Sequence, residues 1–311
     1  MSRLLVSVWL AALPCFAFAE PPRNAAPTAN EAWYVDDEEV FANLMDKLAA
    51  LAKAGRMLPH DKLKAKVKEG VARVEATTPG TKELKPAEVY RAALPSVFIV
   101  GSVVKDEDEW LDGRYATAWV LAADGVLVTN WHVFSEMEAG EVFGAADHLG
   151  NVYPVTDFLG GSKAKDVAIF RIGATNLVPL PLARQAEPVA EWVAVLSHPG
   201  DQFFMFTQGH VSRYSKNKQD DGAVEKWLNI TAEYATGSSG GPVLNRFGAV
   251  VGMAAMTVSV DFPEEAVVDM GKEKPKEKPE EKAPPASTLQ MVVKLAVPGP
   301  EILTVLGGKA P

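Results

Sequence analysis

The segment from Thr236 to Pro242 reads Thr-Gly-Ser-Ser-Gly-Gly-Pro and is the most informative stretch of the sequence. A serine hydroxyl is a weak nucleophile unless a base takes its proton and nearby donors stabilise the oxyanion that forms. The glycines that flank the two serines allow a tight turn that directs backbone N–H groups toward one point. Taken alone, however, the segment is equally consistent with a Gly/Ser turn between two strands.

Two further segments favour the catalytic interpretation. Residues 128–133 read Val-Thr-Asn-Trp-His-Val and place His132 directly after an apolar β segment, whereas residues 165–170 read Lys-Asp-Val-Ala-Ile-Phe and place Asp166 at the start of another. Each residue alone is more often structural. A general base, however, needs a carboxylate that fixes its tautomer and stabilises its cation. The order His132, Asp166, Ser239, with spacings of 34 and 73 residues, therefore predicts a nucleophilic serine site.

The chain around these segments has an all-β pattern. From Pro95 to about Val260, short apolar segments alternate with Gly, Asp and Asn turns, which is typical of a sandwich or barrel. The predicted strands are Val97–Val104, Thr117–Ala122, Val126–Thr129, Val152–Asp157, Val167–Ile172, Trp192–Ser197, Phe204–Tyr214, Trp227–Ala232, Ala249–Val260 and Leu289–Ala296.

These segments together resemble the trypsin-like (chymotrypsin-fold) serine peptidases, nearest the bacterial high-temperature-requirement (HtrA-like) type. The resemblance rests on residues 129–133, 166–168 and 237–242, and it extends over roughly residues 94–308. It implies a mainly β fold of two six-stranded barrels, about residues 94–178 and 182–297, with the active site in the cleft between them.

The resemblance also implies a role for each site residue. Ser239 would be the nucleophile, His132 the general base and acid, and Asp166 the residue that orients the imidazole. The backbone N–H groups of Gly237 and Ser239 would form the oxyanion hole. Glu233 stands where the family places the base of the primary specificity pocket, and a carboxylate there would favour Lys or Arg in the substrate. The alternative is that the loop lengths differ and Glu233 points to solvent.

The sequence departs from the family pattern at several places. We expect no PDZ domain after the peptidase region and hence no regulation by a peptide-sensing C-terminal module. Trp131 stands where a small residue is common, and Ser238 replaces the usual Asp or Asn; neither change removes a catalytic group. The segment 20–93 has no counterpart in the bare peptidase domain.

The first nineteen residues have the pattern of a signal peptide. Arg3 is followed by an apolar run and then by an Ala-Phe-Ala cleavage site at residues 17–19. We therefore expect export, to the periplasm or beyond, with cleavage before Glu20. The alternative is an uncleaved N-terminus or one that is lipid-modified at Cys15. Because Cys15 is the only cysteine, the mature protein would have no disulfide, thiol nucleophile or cysteine metal site. No later stretch is apolar enough to predict a membrane span.

Helical periodicity brackets the β region. A leader is predicted at residues 20–30. The first predicted helix starts near Asp36 and stops at Gly55. The second ends at Pro79 and has one apolar face, formed by Leu63, Val67, Val71 and Val74. A third helix is predicted from Pro86 to Ala93 and a C-terminal one over residues 298–306. The charged, proline-rich segment 262–287 is predicted to be a solvated loop, with a docking tether as the alternative.

Composition excludes several classes of function. The chain has 311 residues, 48% of them hydrophobic, and a formal net charge of −9. A net acidic chain without a basic block makes nucleic acid an unsuitable partner. The five histidines show no metal-ligand spacing, and nothing in the sequence indicates a cofactor. The oligomeric state is left open.

The leading hypothesis is an exported serine endopeptidase that acts on polypeptides through an acyl-enzyme intermediate. The alternative is a non-catalytic or zymogen-like protein of the same fold that binds peptides or a protein partner, with residues 20–93 as the inhibitory segment in the zymogen case. An esterase would need no different triad. The sequence also leaves open whether residues 20–93 inhibit, dock or only stabilise.

Overall fold

The computed structural model describes residues 34–219, 222, 224–261 and 289–308. Six strands form the first closed barrel, in the order β1-β2-β3-β6-β5-β4. They are β1 (Val97–Asp106), β2 (Glu109–Ala122), β3 (Val126–Thr129), β4 (Glu141–Ala146), β5 (Val152–Ser162) and β6 (Val167–Ile172).

A second closed barrel follows, in the order β10-β11-β12-β9-β8-β7. Its strands are β7 (Trp192–Ser197), β8 (Met205–Lys218), β9 (Val224–Ile230), β10 (Pro242–Asn245), β11 (Val250–Asp261) and β12 (Leu289–Pro298). All neighbouring strands within each barrel run antiparallel. The predicted fold of two six-stranded barrels is confirmed.

Each barrel is filled by its own apolar side chains. The first interior includes Phe98, Val100, Leu127, Phe143 and Phe170, and the second includes Val193, Val195, Leu228, Val243 and Val251. Full burial of a side chain of this size stabilises the fold by roughly 1.5–3 kcal/mol. A third cluster, which includes Leu48, Trp119, Leu196, Met253 and Ile302, joins residues of both barrels and of the flanking helices.

Within the part of the chain that the structure describes, five helices accompany the barrels: α1 (Asp37–Lys53), α2 (His60–Lys66), α3 (Pro86–Ala93), α4 (His132–Ser135) and α5 (Gly299–Val305). Helix α1 is capped by the Asp36 carboxylate, which accepts a hydrogen bond from Glu39 N–H at 3.0 Å. Its apolar side packs on the first barrel, where a Cβ on Gly101 would lie 2.9 Å from the Leu44 side chain. Short 3-10 turns lie at Leu94–Ser96 and Pro199–Asp201.

The prediction of a long second helix was wrong. Helix α2 ends at Lys66, and the chain continues as an extended segment that forms a bridge from Gly70 to Gly161. Burial beyond Gly70 alternates with a period of two, so that Ala72 and Val74 are half-buried while Val71 is 51% exposed. Every second residue of this extended segment therefore packs against the rest of the protein, and the helical spacing of the valines was coincidental.

Strand assignment failed at β4 and β10, which the pattern did not indicate. Strand β4 contains Gly144, Ala145 and Ala146, which are weak strand formers, and β10 has only four residues and begins with Pro242. Both are buried along their whole length. Their position between other strands of a closed barrel, rather than local propensity, makes them strands.

Several predictions lie outside the described residues: the signal peptide at 1–19, the leader at 20–30 and the charged loop at 262–287. Among the helices that the structure describes, none has both the length and the hydrophobicity that a membrane span requires.

Candidate active site

The barrel topology brings the ends of β3 and β6 together. These strands pair in antiparallel register, with Thr129 opposite Ala168. His132 begins α4 just after β3, and Asp166 directly precedes β6. The two side chains therefore meet at one edge of the first barrel. Ser239 reaches the same point from the turn between β9 and β10 of the second barrel.

The side chains of His132, Asp166 and Ser239, called the triad below, form a continuous chain of contacts. His132 Nδ1 lies 2.9 Å from Asp166 Oδ2, and His132 Nε2 lies 3.0 Å from Ser239 Oγ. The backbone N–H of His132 also donates to Asp166 Oδ1 at 3.0 Å. A carboxylate can only accept, so Nδ1 carries the proton and Nε2 is free to accept the serine proton. This arrangement suits general-base activation of Ser239.

The backbone holds Asp166 in an unusual conformation. Its φ of +52° lies in the left-handed region, which Asp tolerates better than most residues. Asn130 Nδ2 donates to the Asp166 carbonyl at 2.9 Å, and Asp166 N–H donates to the Lys163 carbonyl at 3.1 Å. These contacts fix the loop so that the carboxylate faces His132.

Burial and Asp166 shift the pKa of His132 in opposite directions. Burial lowers the pKa of His132, but the hydrogen bond and the charge of Asp166 outweigh burial and leave the pKa above its ordinary value of 6.5. A raised pKa strengthens the imidazole as a base, and Asp166 stabilises the cation that forms when His132 takes a proton.

The turn around Ser239 depends on glycine. Gly237 and Gly240 have φ of +91° and +89°, and a Cβ on Gly240 would collide with the Thr117 carbonyl and the Thr129 side chain. Among the residues that the structure describes, neither Gly237 N–H nor Ser239 N–H donates a hydrogen bond within the protein. Both predicted oxyanion donors are thus available to a ligand.

Thr117 joins the two barrels at this turn, and sequence reasoning missed it. Its N–H donates to the Ser239 carbonyl at 2.8 Å, and its Oγ1 donates to the Gly237 carbonyl at 2.9 Å. Its own carbonyl accepts from Thr129 Oγ1 at 2.8 Å. A threonine in a predicted strand gives no local indication of such a role, because all its partners are distant in sequence.

A cavity of about 200 Å³ opens beside His132, Gly237 and Ser239. Its other walls come from Val100, Arg114, Tyr115, Ala116, Val133 and Phe143 of the first barrel and from Thr236 of the second. A larger cavity, about 350 Å³, lies between residues 73–76 and the end of α5 and contains no residue of the triad. We assign the candidate site to the smaller cavity because His132, Gly237 and Ser239 line it.

Glu233 is not among the residues that line this smaller cavity. Its side chain is 75% exposed, and its carboxylate lies 2.9 Å from Lys294 Nζ. Lys294 is buried and also donates to the Tyr234 carbonyl at 2.9 Å. The ammonium group of Lys294 partly neutralises the Glu233 carboxylate, which weakens its attraction for a basic side chain of the substrate. The role of Glu233 in specificity therefore stays a prediction.

His198 is a structural histidine. It is fully buried, its Nδ1 accepts from Phe204 N–H at 3.0 Å, and burial lowers its pKa to about 3. His198 is therefore neutral and serves as an acceptor. Within residues 34–219, 222, 224–261 and 289–308, no group of three or more His, Cys, Asp or Glu residues is placed to hold a metal ion.

Residues 116–253 match the family model of the trypsin-like peptidase domain. A probable periplasmic serine endoprotease, DegP-like, from Chlamydia pneumoniae is 29% identical over 144 residues, which cover 46% of this chain and 29% of that protein. The mitochondrial serine protease HTRA2 of Bos taurus is 30% identical over 149 residues, covering 46% and 31%. Serine endoprotease DegS of Haemophilus influenzae is 25% identical over 158 residues, covering 50% and 45%.

The matched region spans less than half the length of these curated relatives. Among solved structures, the Rv3671c protease in its inactive form superposes with a TM-score of 0.50 at 20% identity, covering 75% of this chain and 98% of that chain. At this identity the likeness bears on the fold alone.

Proposed function

Because the chain carries a trypsin-like peptidase domain over residues 116–253, we propose that it is an exported serine endopeptidase that hydrolyses peptide bonds through an acyl-enzyme intermediate. The observation that carries the proposal is the pair of contacts made by one imidazole: His132 lies 2.9 Å from Asp166 and 3.0 Å from Ser239. A base aligned with both a carboxylate and a hydroxyl is the arrangement that activates a serine.

In the first step, Ser239 Oγ attacks the carbonyl carbon of the scissile bond while His132 Nε2 takes the hydroxyl proton. The C–O bond forms, and the carbonyl π electrons move to oxygen, where the N–H groups of Gly237 and Ser239 stabilise the negative charge. The tetrahedral intermediate then collapses, the C–N bond breaks, and His132 returns the proton to the leaving amine. Asp166 keeps its charge throughout and stabilises the imidazolium.

In the second step, water hydrolyses the acyl-enzyme. His132 Nε2 takes a proton from the water as its oxygen attacks the acyl carbon. Collapse of the second tetrahedral intermediate breaks the bond to Ser239 Oγ, and the proton passes from His132 to the serine. The carboxylic acid product leaves, and the site returns to its starting state.

The proposed substrate is a polypeptide, since the similar proteins are named as endoproteases. Export is supported by the signal-like residues 1–19 and by the name of the DegP-like relative, which calls it periplasmic. The net charge of −9 gives no support for a nucleic-acid partner.

Labelling with a fluorophosphonate probe, measured by intact mass, tests the proposal. The wild-type protein should gain one adduct, and Ser239→Ala should gain none. Ser238→Ala is the matched control, because Ser238 is buried and its Oγ accepts from Ser197 Oγ at 3.0 Å; this variant should still be labelled. An unlabelled wild-type protein would favour the non-catalytic or zymogen-like alternative, and an adduct that persists in Ser239→Ala would place the reactive group elsewhere.

A further inference from the structure

The oxyanion donor Gly237 N–H belongs to the peptide unit that joins Thr236 to Gly237. In a planar trans peptide, the C=O and N–H bonds point in opposite directions. The Thr236 carbonyl accepts a hydrogen bond from Gly200 N–H at 2.9 Å. Whatever holds Gly200 in place therefore also sets the direction of Gly237 N–H, and a flip of this peptide would remove the donor.

Gly200 lies in a turn with three residues in the left-handed region: Gly200, Asp201 and Phe204 have φ of +54°, +60° and +58°. Left-handed conformations are unfavourable for most residues other than glycine, so Phe204 and, to a lesser degree, Asp201 need compensating contacts. We call residues 198–204 the Gly200 turn.

Tyr115 of β2 supplies such a contact. Its hydroxyl donates to Asp201 Oδ1 at 2.7 Å and accepts from Asp201 N–H at 2.6 Å. The tyrosine ring also lies directly against Gly237, where a Cβ would come within 2.6 Å of Tyr115 Cε2. One side chain thus touches both ends of the connection from Asp201 through Gly200 to the Thr236–Gly237 peptide.

Helix α1 supports this tyrosine from the other side. The ring centroids of Tyr115 and Phe41 are 6.3 Å apart in an edge-on arrangement, and those of Tyr115 and Phe203 are 5.4 Å apart. Asp37, in the first turn of α1, accepts a hydrogen bond from Phe203 N–H at 2.8 Å. Part of the support for the Gly200 turn therefore comes from residues before the matched peptidase region.

We propose that Tyr115 is a positioning residue that holds the Gly200 turn and thereby keeps Gly237 N–H directed at the developing oxyanion. The proposal rests on the function proposed above and adds a residue to its machinery. Tyr115 acts on the rate through the peptide that it orients and takes no part in proton transfer.

The protonation state of Tyr115 agrees with this role. Burial and the Asp201 side chain raise the pKa of Tyr115 to about 12. The hydroxyl therefore remains a donor to Asp201 throughout the range in which His132 titrates. Removing the hydroxyl should not move the pH midpoint of the reaction.

The test compares Tyr115→Phe with wild type in reaction with the fluorophosphonate probe, and separates the maximal rate, kinact, from the apparent affinity, KI. We expect kinact to fall about tenfold, less than the 10²–10³-fold that follows loss of an oxyanion donor itself, with KI unchanged. Tyr214→Phe is the matched control, because it removes a hydroxyl that donates to the Glu187 carbonyl at 2.9 Å, and it should react like wild type.

Asp201 provides a second arm. Asp201→Asn keeps an acceptor oxygen and tolerates the left-handed backbone, whereas Asp201→Gly keeps only the backbone freedom. The asparagine variant should retain more of kinact than the glycine variant. Combining Asp201→Gly with Tyr115→Phe should lower kinact little more than either change alone, because both substitutions remove the same hydrogen bond between Tyr115 and Asp201.

Hydrogen–deuterium exchange over residues 198–204 and 234–240 gives a readout that does not depend on catalysis. Exchange in both segments should be faster in Tyr115→Phe than in wild type. The proposal is overturned by unchanged exchange, by an unchanged kinact, or by a change confined to KI. An unlabelled wild-type protein would instead overturn the proposed function, and the exchange result would still decide whether Tyr115 orders the two segments.

Discussion

The backbone N–H of Thr117 donates to the carbonyl of Ser239 at 2.8 Å, so the candidate nucleophile is hydrogen-bonded to the barrel that carries His132. His132 follows β3, and Thr117 lies in β2, which pairs with β3. The distance from His132 to Ser239 therefore depends on the hydrogen bond from Thr117 to Ser239 and on the pairing of β2 with β3, in addition to the packing between the barrels.

Thr117→Val should lower both activity and stability. The substitution keeps the shape of the side chain but removes the hydroxyl that donates to the Gly237 carbonyl at 2.9 Å. Leaving a buried acceptor without a partner costs about 1–3 kcal/mol. We expect a loss of this size in the free energy of unfolding, measured with urea, together with slower fluorophosphonate labelling. Thr156→Val, which removes an exposed hydroxyl that donates to the Arg171 carbonyl, should change neither; equal effects at both sites would contradict the role of Thr117.

In the proposed mechanism the neutral form of His132 is the base, and the pKa of His132 is raised. The rate of labelling should therefore rise with pH through a midpoint above 6.5. Asp166→Asn removes the charge that raises this pKa and should move the midpoint downward. The measurement is the labelling rate between pH 5 and 9, and a midpoint that Asp166→Asn leaves in place would rule out His132 as the titrating group.

The same pKa makes an opposite prediction for stability. A group whose pKa is higher in the folded state than in the unfolded state stabilises the fold when it is protonated. The contribution of His132 is therefore fully present below pH 6.5 and is lost as the pH rises through the raised pKa. We therefore expect the difference in the free energy of unfolding between wild type and His132→Gln, measured with urea, to become smaller as the pH rises, over the same range in which the labelling rate increases.

Glu301 of α5 should matter more for stability than an exposed carboxylate. Its side chain is 9% exposed and contacts Lys165, which precedes Asp166, and Lys226 of β9, whose Nζ lies 2.7 Å away. Burial raises the pKa of Glu301, but the hydrogen bonds from Lys165 and Lys226 outweigh burial and lower it. Its contribution is thus present above the ordinary value of 4.5 and is lost as the pH falls through the lowered pKa.

Glu301→Gln should reduce the free energy of unfolding at pH 7 by about 1–2 kcal/mol, since hydrogen bonds to a charged group are lost while both lysines stay partly solvated. Lys66→Gln breaks the exposed pair with Asp157 and should cost no more than about 0.5 kcal/mol. Similar losses in the free energy of unfolding for the two variants would show that the burial of Glu301 does not strengthen its ion pairs.

Glu233→Gln tests the predicted preference for Lys or Arg in the substrate. Because Lys294 already pairs with this carboxylate at 2.9 Å, we expect only a modest drop, less than about tenfold, in cleavage after basic residues relative to cleavage after aliphatic ones. Cleavage sites in a peptide mixture, identified by mass spectrometry for both proteins, provide the ratio. An unchanged ratio would leave Glu233 as an exposed partner of Lys294 without a part in specificity.

Local pattern was sufficient where an element is both apolar and bounded by turns. The predicted bounds of β3, β6 and β7 agree with the structure residue for residue. His132 and Asp166, which the sequence predicts to be a base and its carboxylate, each stand at the end of such a strand, and their side chains lie 2.9 Å apart. The two strand ends meet because the strands pair, so a local pattern indicated a distant contact.

What the sequence could not predict depends on tertiary contacts between distant residues. Tyr115 and Asp201 are 86 positions apart, and neither belongs to a motif. The extended segment after α2 looks helical by spacing, because Val67, Val71 and Val74 would share one face of a helix. The segment is extended because alternate residues pack against the rest of the protein. This contact cannot be read from the spacing of the valines.

The coupling between His132 and Asp166 is the most direct test of the account. The quantity to measure is the second-order rate of fluorophosphonate labelling of Ser239 in wild type, His132→Ala, Asp166→Asn and the double variant. Residues that act as a unit are strongly non-additive. We predict a loss of about 10³-fold or more in His132→Ala, with little further loss in the double variant. A rate that His132→Ala leaves near wild type would contradict activation of Ser239 by the triad.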